Sequence, residues 1–313
     1  MKSIFFKRYY KDIERRKEIL DKYNCNTLYN YRKMNSFTIK DLENLSGVKA
    51  HTLRIWEQRY SFLKPNRTFT NIRYYTNDEL KTILNVSLLN KYGYKISHID
   101  KMNANEIKEK VLTLSQQEAQ LERIVNELVQ HMVDLNVIDF EKTIDNYIKQ
   151  KGIERTITQI IFSYMEKIGV LWLTNHINPA QEHLVTNIVR QKLIVGIEGL
   201  ESPIDSNITI LLFLPEAEYH EIGLLFMYYL LKRKGVNVIY LGCNVPLSDV
   251  AYVVKVKNPD YLYCHITRPG YGFNFDKFMT NISKNLSSTP CIMSGQMIQN
   301  YERKIQNPVV FKR

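Results

Sequence analysis

The sequence has few cysteines and no long apolar run, and both absences narrow what it encodes. Cys25, Cys243, Cys264 and Cys291 are the only cysteines in 313 residues, scattered with no pair at metal-ligand spacing. That sets aside a disulfide framework and a cysteine-rich zinc site, and a reduced, cytoplasmic chain is expected. The longest apolar run, Ile222 to Leu231, is about half the roughly 20 residues that a bilayer span needs. The opening "MKSIFFKRYY" has too short an apolar core for a signal peptide, so no membrane partner is expected. Acidic residues are scarce at one end: residues 1–100 hold 10 against 20 basic ones, whereas residues 101–313 hold 22 against 23. The formal charge of +11 is therefore almost wholly N-terminal and marks that end for a polyanionic partner.

A chain of this length fits two or three domains, each able to bury a core. Residues 1–36 read as a basic leader, with ten basic against four acidic residues in the first 33. It is either an arm or an extension upstream of a start at Met34, and the second is expected. From Phe37 the pattern changes. Ile39, Leu42 and Leu45 recur every third residue, Gly47 breaks the run, and a second helix opens near Lys49 with Leu53, Trp56 and Tyr60 on one face. Two short helices about a glycine turn are a helix-turn-helix signal. Pro65, Asn66, Thr70 and Asn71 mark a turn between two extended pieces, and Thr76 or Asn77 then caps a helix, which predicts a β-wing.

Residues 104–200 are helical in pattern, with breaks at Gly152, at "NHINP" and at Gly196 and Gly199. Apolar spacings of three and four predict a four-helix bundle over 112–200. After "SPIDSN", strands alternate with helices: Ile208 to Leu214, Val236 to Leu241, Tyr261 to Ile266, Cys291 to Ser294 and a last strand near Val309. The expected fold class is multidomain α and α/β: a winged helix-turn-helix over 37–105, the bundle, and a doubly wound, Rossmann-like parallel sheet over 206–313.

Each end then has its candidate residues. On the second helix Lys49, His51, Thr52, Arg54 and Arg59 fall outside the apolar stripe, where they could reach base edges and phosphates of double-stranded DNA. Arg67, Arg73 and Tyr74 on the wing could grip the flanking backbone. A merely solvated basic helix is the alternative. At the other end, "PEAEYHEIG" puts His220 in the loop that a strand feeds, where open parallel sheets bind ligands. Glu218 could fix the His220 tautomer and make it a cobalt or zinc ligand, while Gly223 would let the next helix start close against a bulky group. A surface or hydrogen-bonded histidine is the alternative, and zinc is disfavoured because no further ligands lie at suitable spacing.

The segment "FTIKDLENLSGVKAHTLRIWEQRYSFLKPNRTFTNIRYYTNDEL" resembles the N-terminal domain of MerR-family transcription regulators. The resemblance implies binding as a dimer to a palindromic operator. Glu218-x-His220-x-x-Gly223, with "LGCNVP" after the second strand, resembles the cobalamin-binding motif of flavodoxin-like domains, in which the histidine replaces the corrinoid's own base below cobalt. Trp172, then nine residues, then Glu182-His183 is similar to the pattern of the light-responsive, adenosylcobalamin-binding CarH or LitR branch of the MerR family. The resemblance implies a bundle that sets Trp172 over the corrin's upper face, with Glu182 and His183 near the adenosyl group. It also implies a homodimer or homotetramer whose assembly answers to light.

Departures from that pattern are specific. The type member carries a histidine directly after the tryptophan, whereas this chain has Leu173, with His176 further on. His265 stands where the family has serine, and Ser294-Gly295 where it has a glycine pair, both at the pocket for the nucleotide tail. Gly295 remains a candidate cofactor contact. The departures leave one alternative open: a cobalamin-independent MerR-type regulator that uses the sensor fold for dimerisation or protein interaction. Bundle plus Rossmann-like sheet also resembles the corrinoid carrier of methyltransferases, but no catalytic partner domain accompanies it, and no enzyme activity is expected.

Overall fold

The computed structural model describes residues 36–68, 71–173, 177–201, 206–299, 301 and 309–311, with the backbone alone at 170, 172, 173 and 309–311. The basic leader up to residue 35, Thr70 of the wing turn, Cys25 and His176 lie outside the described residues. Two compact units divide the chain, Met1–Gln150 with Thr158–Val185, and Lys151–Ile157 with Thr186–Arg313.

In the first unit α1 (Ile39–Ser46) starts on a capping box. The Asp41 carboxylate accepts from the Thr38 N–H and hydroxyl at 2.7 and 2.6 Å, which satisfies donors that a helix start otherwise leaves open. Gly47 ends the helix at φ +73°, a left-handed turn that costs glycine little, and its N–H donates to the Glu43 carbonyl. That turn leads into α2 (Ala50–Arg59), which buries Leu53 and Trp56. Tyr60, expected on the same stripe, lies just past the helix in extended backbone, half-buried and stacked on Phe62 at 5.8 Å.

The wing is β1 (Asn66–Arg67) paired antiparallel with β2 (Arg73–Tyr74), so Asn66 is strand and not turn as expected. A second capping box, Thr76 with Glu79, opens α3 (Asn77–Lys91), whose Leu80, Ile83, Leu84, Leu88 and Leu89 are buried. After the short α4 (Ile96–Ile99) and α5 (Ala104–Leu112) come α6 (Gln117–Val133) and α7 (Val137–Lys151). Next, α8 (Ile153–Arg155) passes through a π turn at Thr156–Ile161 into α9 (Phe162–Leu173), and α10 spans Pro179–Glu198. Gly196 does not interrupt α10 as its composition suggested; a methyl there would lie 2.4 Å from Cδ1 of Ile153, so the glycine answers to packing.

The second unit holds a parallel sheet of β3 (Thr209–Pro215), β4 (Asn237–Val245), β5 (Tyr261–His265), β6 (Cys291–Ser294) and β7 (Val309–Phe311), in spatial order β4-β3-β5-β6-β7. Between them run α11 (Ile222–Arg233), α12 (Leu247–Lys257), α13 (Phe275–Asn285) and the short α14 (Gln296–Gln299). Alternate residues of β3 serve opposite faces, as a strand's twofold period requires. Leu211 and Phe213 join Val250, Phe278 and Ile282 in one core, and Ile210, Leu212 and Leu214 join Leu224 in another. Burial on both faces explains the unbroken apolar run "TILLFLP". β4 continues past the expected end at Leu241, so "LGCNV" is strand rather than the loop after it. Strand order reverses between β3 and β5, which makes the exits of those two strands the natural ligand crevice.

Candidate cofactor site and nucleic-acid interface

On α2 the outward residues are His51, Arg54 and Arg59, all exposed, with Thr52 half-buried and Lys49 exposed beside Glu43 at 3.4 Å. The wing carries Arg67, exposed and bonded to the Asn71 side chain at 2.8 Å. Arg73 and Tyr74 are half-buried rather than fully outward. Arg73 Nε pairs with Glu57 Oε2 at 3.2 Å, and the hydroxyl of the fully buried Tyr75 donates to the same carboxylate. Glu57, whose side chain is only 6% exposed, thus ties α2 to the strand that carries the wing. Burial first, and then the Glu57 carboxylate, push the Tyr75 phenol pKa well up and keep it a donor. Mutating Glu57→Gln and Tyr75→Phe singly and together is expected to give a coupling energy of about 1–2 kcal/mol in urea unfolding. Additive losses would mean that the bond holds nothing.

Within the bundle, Trp172 lies in α9 and its side chain is outside the described set. Glu182 and His183 sit in the first turns of α10, with His183 exposed and its Nδ1 3.3 Å from Glu182 Oε2.

The loop after β3 is built around Glu218. The chain turns at Ala217 with φ +66°, and this drives the Glu218 side chain inward until none of it is exposed. Oε1 accepts the His220 N–H at 2.9 Å and meets His220 Nδ1 at 2.6 Å, while Oε2 accepts the N–H groups of Thr267 and Arg268, both at 2.9 Å. One carboxylate therefore joins the exits of β3 and β5. Burial pushes its pKa up, but the bonds from His220 and Thr267 outweigh burial and hold it below the ordinary 4.5. An ionised Glu218 makes Nδ1 the protonated nitrogen of a neutral His220, so a metal would be met through Nε2. The ring itself is half-exposed, at 49%.

Gly223 and Gly295 have neighbours that their sequence context did not reveal. A methyl on Gly223 would lie 2.5 Å from Cδ2 and Nε2 of His265, so the bulky group at that helix start is the chain's own imidazole. His265 Nδ1 is 2.8 Å from Ser294 Oγ, which is 2.6 Å from the Tyr263 hydroxyl. Gly295 has φ +103°, and a methyl there would lie 2.3 Å from the Ile266 carbonyl oxygen. Cys264 and Cys291 are buried free thiols, the latter with its pKa pushed up to about 12 by burial, and neither has the thiolate character of a reactive cysteine. No helix among the described residues is long and apolar enough to cross a membrane, and no group of three or more metal-ligating side chains occurs among them.

Residues 37–106 match the family model described as MerR HTH family regulatory protein, and residues 103–195 match the model described as B12 binding domain. The chain carries a MerR-type DNA-binding domain and a B12-binding domain. It is 24% identical over 259 residues to the HTH-type transcriptional repressor CarA of Myxococcus xanthus, covering 82% of the chain and 85% of the relative. It is 23% identical over 277 residues to the HTH-type transcriptional repressor CarH of the same organism, covering 80% and 85%. The chain thus joins a DNA-binding domain to a cobalamin-binding one. A looser likeness, with TM-score 0.48 and 18% identity, joins 56% of the chain to 84% of a Methanosarcina barkeri monomethylamine corrinoid protein.

A further cluster escaped the reading of the regulator's sequence. Glu221, next to His220, accepts from the Tyr240 hydroxyl at 2.6 Å and pairs with Arg190 Nε at 2.7 Å. Glu221 is visible in the motif, but its partners lie 19 and 31 residues away, and no local spacing announces them.

Proposed function

We propose that this regulator represses transcription from a palindromic operator and that adenosylcobalamin and light set its occupancy. The observation that carries the proposal is the Glu218–His220 pair, which presents an imidazole of fixed tautomer at the point where the strand order reverses. His220 would hold the cobalt and Glu218 would orient its ring. Trp172, Glu182 and His183 belong to the segment that matches the B12 binding domain and are its candidate cofactor contacts. When bound, adenosylcobalamin supplies a cobalt–carbon bond that light breaks. The chain's own part is to hold the corrinoid through His220 and to assemble as a homodimer or homotetramer, so that Lys49, His51, Thr52, Arg54 and Arg59 reach the major groove of each half-site. Arg67, Arg73 and Tyr74 then fasten the wing to flanking phosphates.

The test is an absorbance spectrum after incubation with adenosylcobalamin in the dark and gel filtration. Wild type is expected to co-elute with a histidine-ligated corrinoid, and His220→Ala to lose that spectrum. A wild type that carries no corrinoid would favour the alternative, a cobalamin-independent regulator, for which His265 closed against Gly223 is the supporting observation. Operator affinity that is equal in dark and light, with corrinoid bound, would remove the light response alone.

A further inference from the structure

The crevice at the strand-order reversal holds the chain's own His265 ring, set against Gly223. β3 and β5 are hydrogen-bonded neighbours, and their exits carry His220 on one side and Thr267 and Arg268 on the other. Gly223, one turn after His220, faces into this crevice and leaves room there, but the His265 ring takes that room with its Cδ2 and Nε2 against the glycine. The ring is fixed from behind by Ser294 and, through Ser294, by Tyr263. Open space lies elsewhere, in a cleft of about 720 Å³ between the exits of β5 and β6, lined by Thr267, Arg268, Phe273, Asn274, Gln296 and Tyr301 among others.

A complete cobalamin brings its own lower base, tethered by a nucleotide to the corrin edge. If a protein imidazole takes the lower position, base and tether must leave it on the protein side, beside that imidazole. Here the space beside His220 is the crevice that His265 closes. A corrin ring without the nucleotide makes no demand on it.

We infer that His265 determines corrinoid specificity, and that this chain takes a corrinoid lacking the nucleotide tail in preference to complete cobalamin. The inference rests on His220 being the lower ligand. To admit the tail, the His265 ring must leave both Gly223 and Ser294, whereas the tailless ring binds with both contacts kept.

The experiment titrates the full chain with aquo forms of cobinamide and of cobalamin, in the dark, reading dissociation constants from absorbance. Wild type is expected to bind cobinamide about tenfold more tightly or better, the ratio that the repacking of one half-buried side chain produces. His265→Ser is expected to tighten cobalamin until the two agree within about threefold, and to leave cobinamide unchanged. A wild-type ratio near one, with the His220-dependent spectrum present for both ligands, overturns this inference and leaves the His220 reading standing. An unchanged ratio in folded His265→Ser overturns it equally. Failure to bind either corrinoid overturns the His220 reading and this inference with it. Should His265→Ser not fold, His265→Ala takes its place, because the wild-type ratio also contains the cost of freeing cobalamin's own base.

Discussion

Glu218→Ala is expected to destabilise the Rossmann-like unit by about 3–5 kcal/mol, because it removes a fully buried carboxylate that accepts from two loops at once. The carboxylate takes the backbone N–H groups of His220, Thr267 and Arg268 and the His220 ring, and no part of the residue reaches solvent. Glu218→Gln keeps the shape but offers one oxygen where there were two, so about half that loss is expected. The pH dependence has a definite sign. The folded pKa is lower than the ordinary 4.5, so the contribution is complete above that value and is lost as pH falls through the folded value. Urea unfolding at pH 7 and at successively lower pH checks both points: Glu218→Ala should start lower and show a flatter decline across that window than wild type. A variant within about 1 kcal/mol of wild type at pH 7 would mean that the loops are held by something else.

The parts legible in the sequence are those in which a local signal and a tertiary role coincide. The α1 and α2 stripes, the Gly47 turn and the Thr76 cap appear in the chain as spacing and residue type, and the structure uses them for helix faces and ends. The Glu218–His220 bond was legible for the same reason, since only Tyr219 separates its partners. Strand β4 shows where this fails. Its register against β3 shifts after Leu212, where Gly242 at φ +84° and Asn244 at φ +57° break the alternation, so the apolar pattern stops at Leu241 although the strand continues to Val245. The π turn at Thr156–Ile161 was invisible because spacings of three and four do not distinguish it from an α-helix. Most costly to the reading were contacts between distant residues: Glu57 with Tyr75, Glu221 with Arg190 and Tyr240, and His265 with Gly223. Each sets how a site residue is held, and each exists only once strands or helices are side by side.

Gly295→Ala separates a cofactor role from a backbone one, and the expected result is a loss of about 3 kcal/mol or more in protein that has never met cobalamin. In sequence Gly295 follows the fourth strand and reads as space left for a ligand. In the fold its missing side chain is required by the chain itself. The backbone has φ +103°, where any L side chain is strained, and a methyl would lie 2.3 Å from the Ile266 oxygen, 2.7 Å from its carbonyl carbon and 2.9 Å from its nitrogen. None of these atoms can swing aside as a side chain would. The Ile266 N–H donates to the Ser294 carbonyl at 2.8 Å, and the Ile266 carbonyl accepts from Met297 N–H at 3.2 Å, so relieving the clash breaks the pairing by which β6 leaves the sheet beside β5. Unfolding of the apo protein in urea measures the effect directly. If apo Gly295→Ala matches wild type in stability and only corrinoid binding suffers, the glycine is a ligand contact. If stability falls as expected, the room at Gly295 is already spent on Ile266 and is not there for the tail of a bound corrinoid.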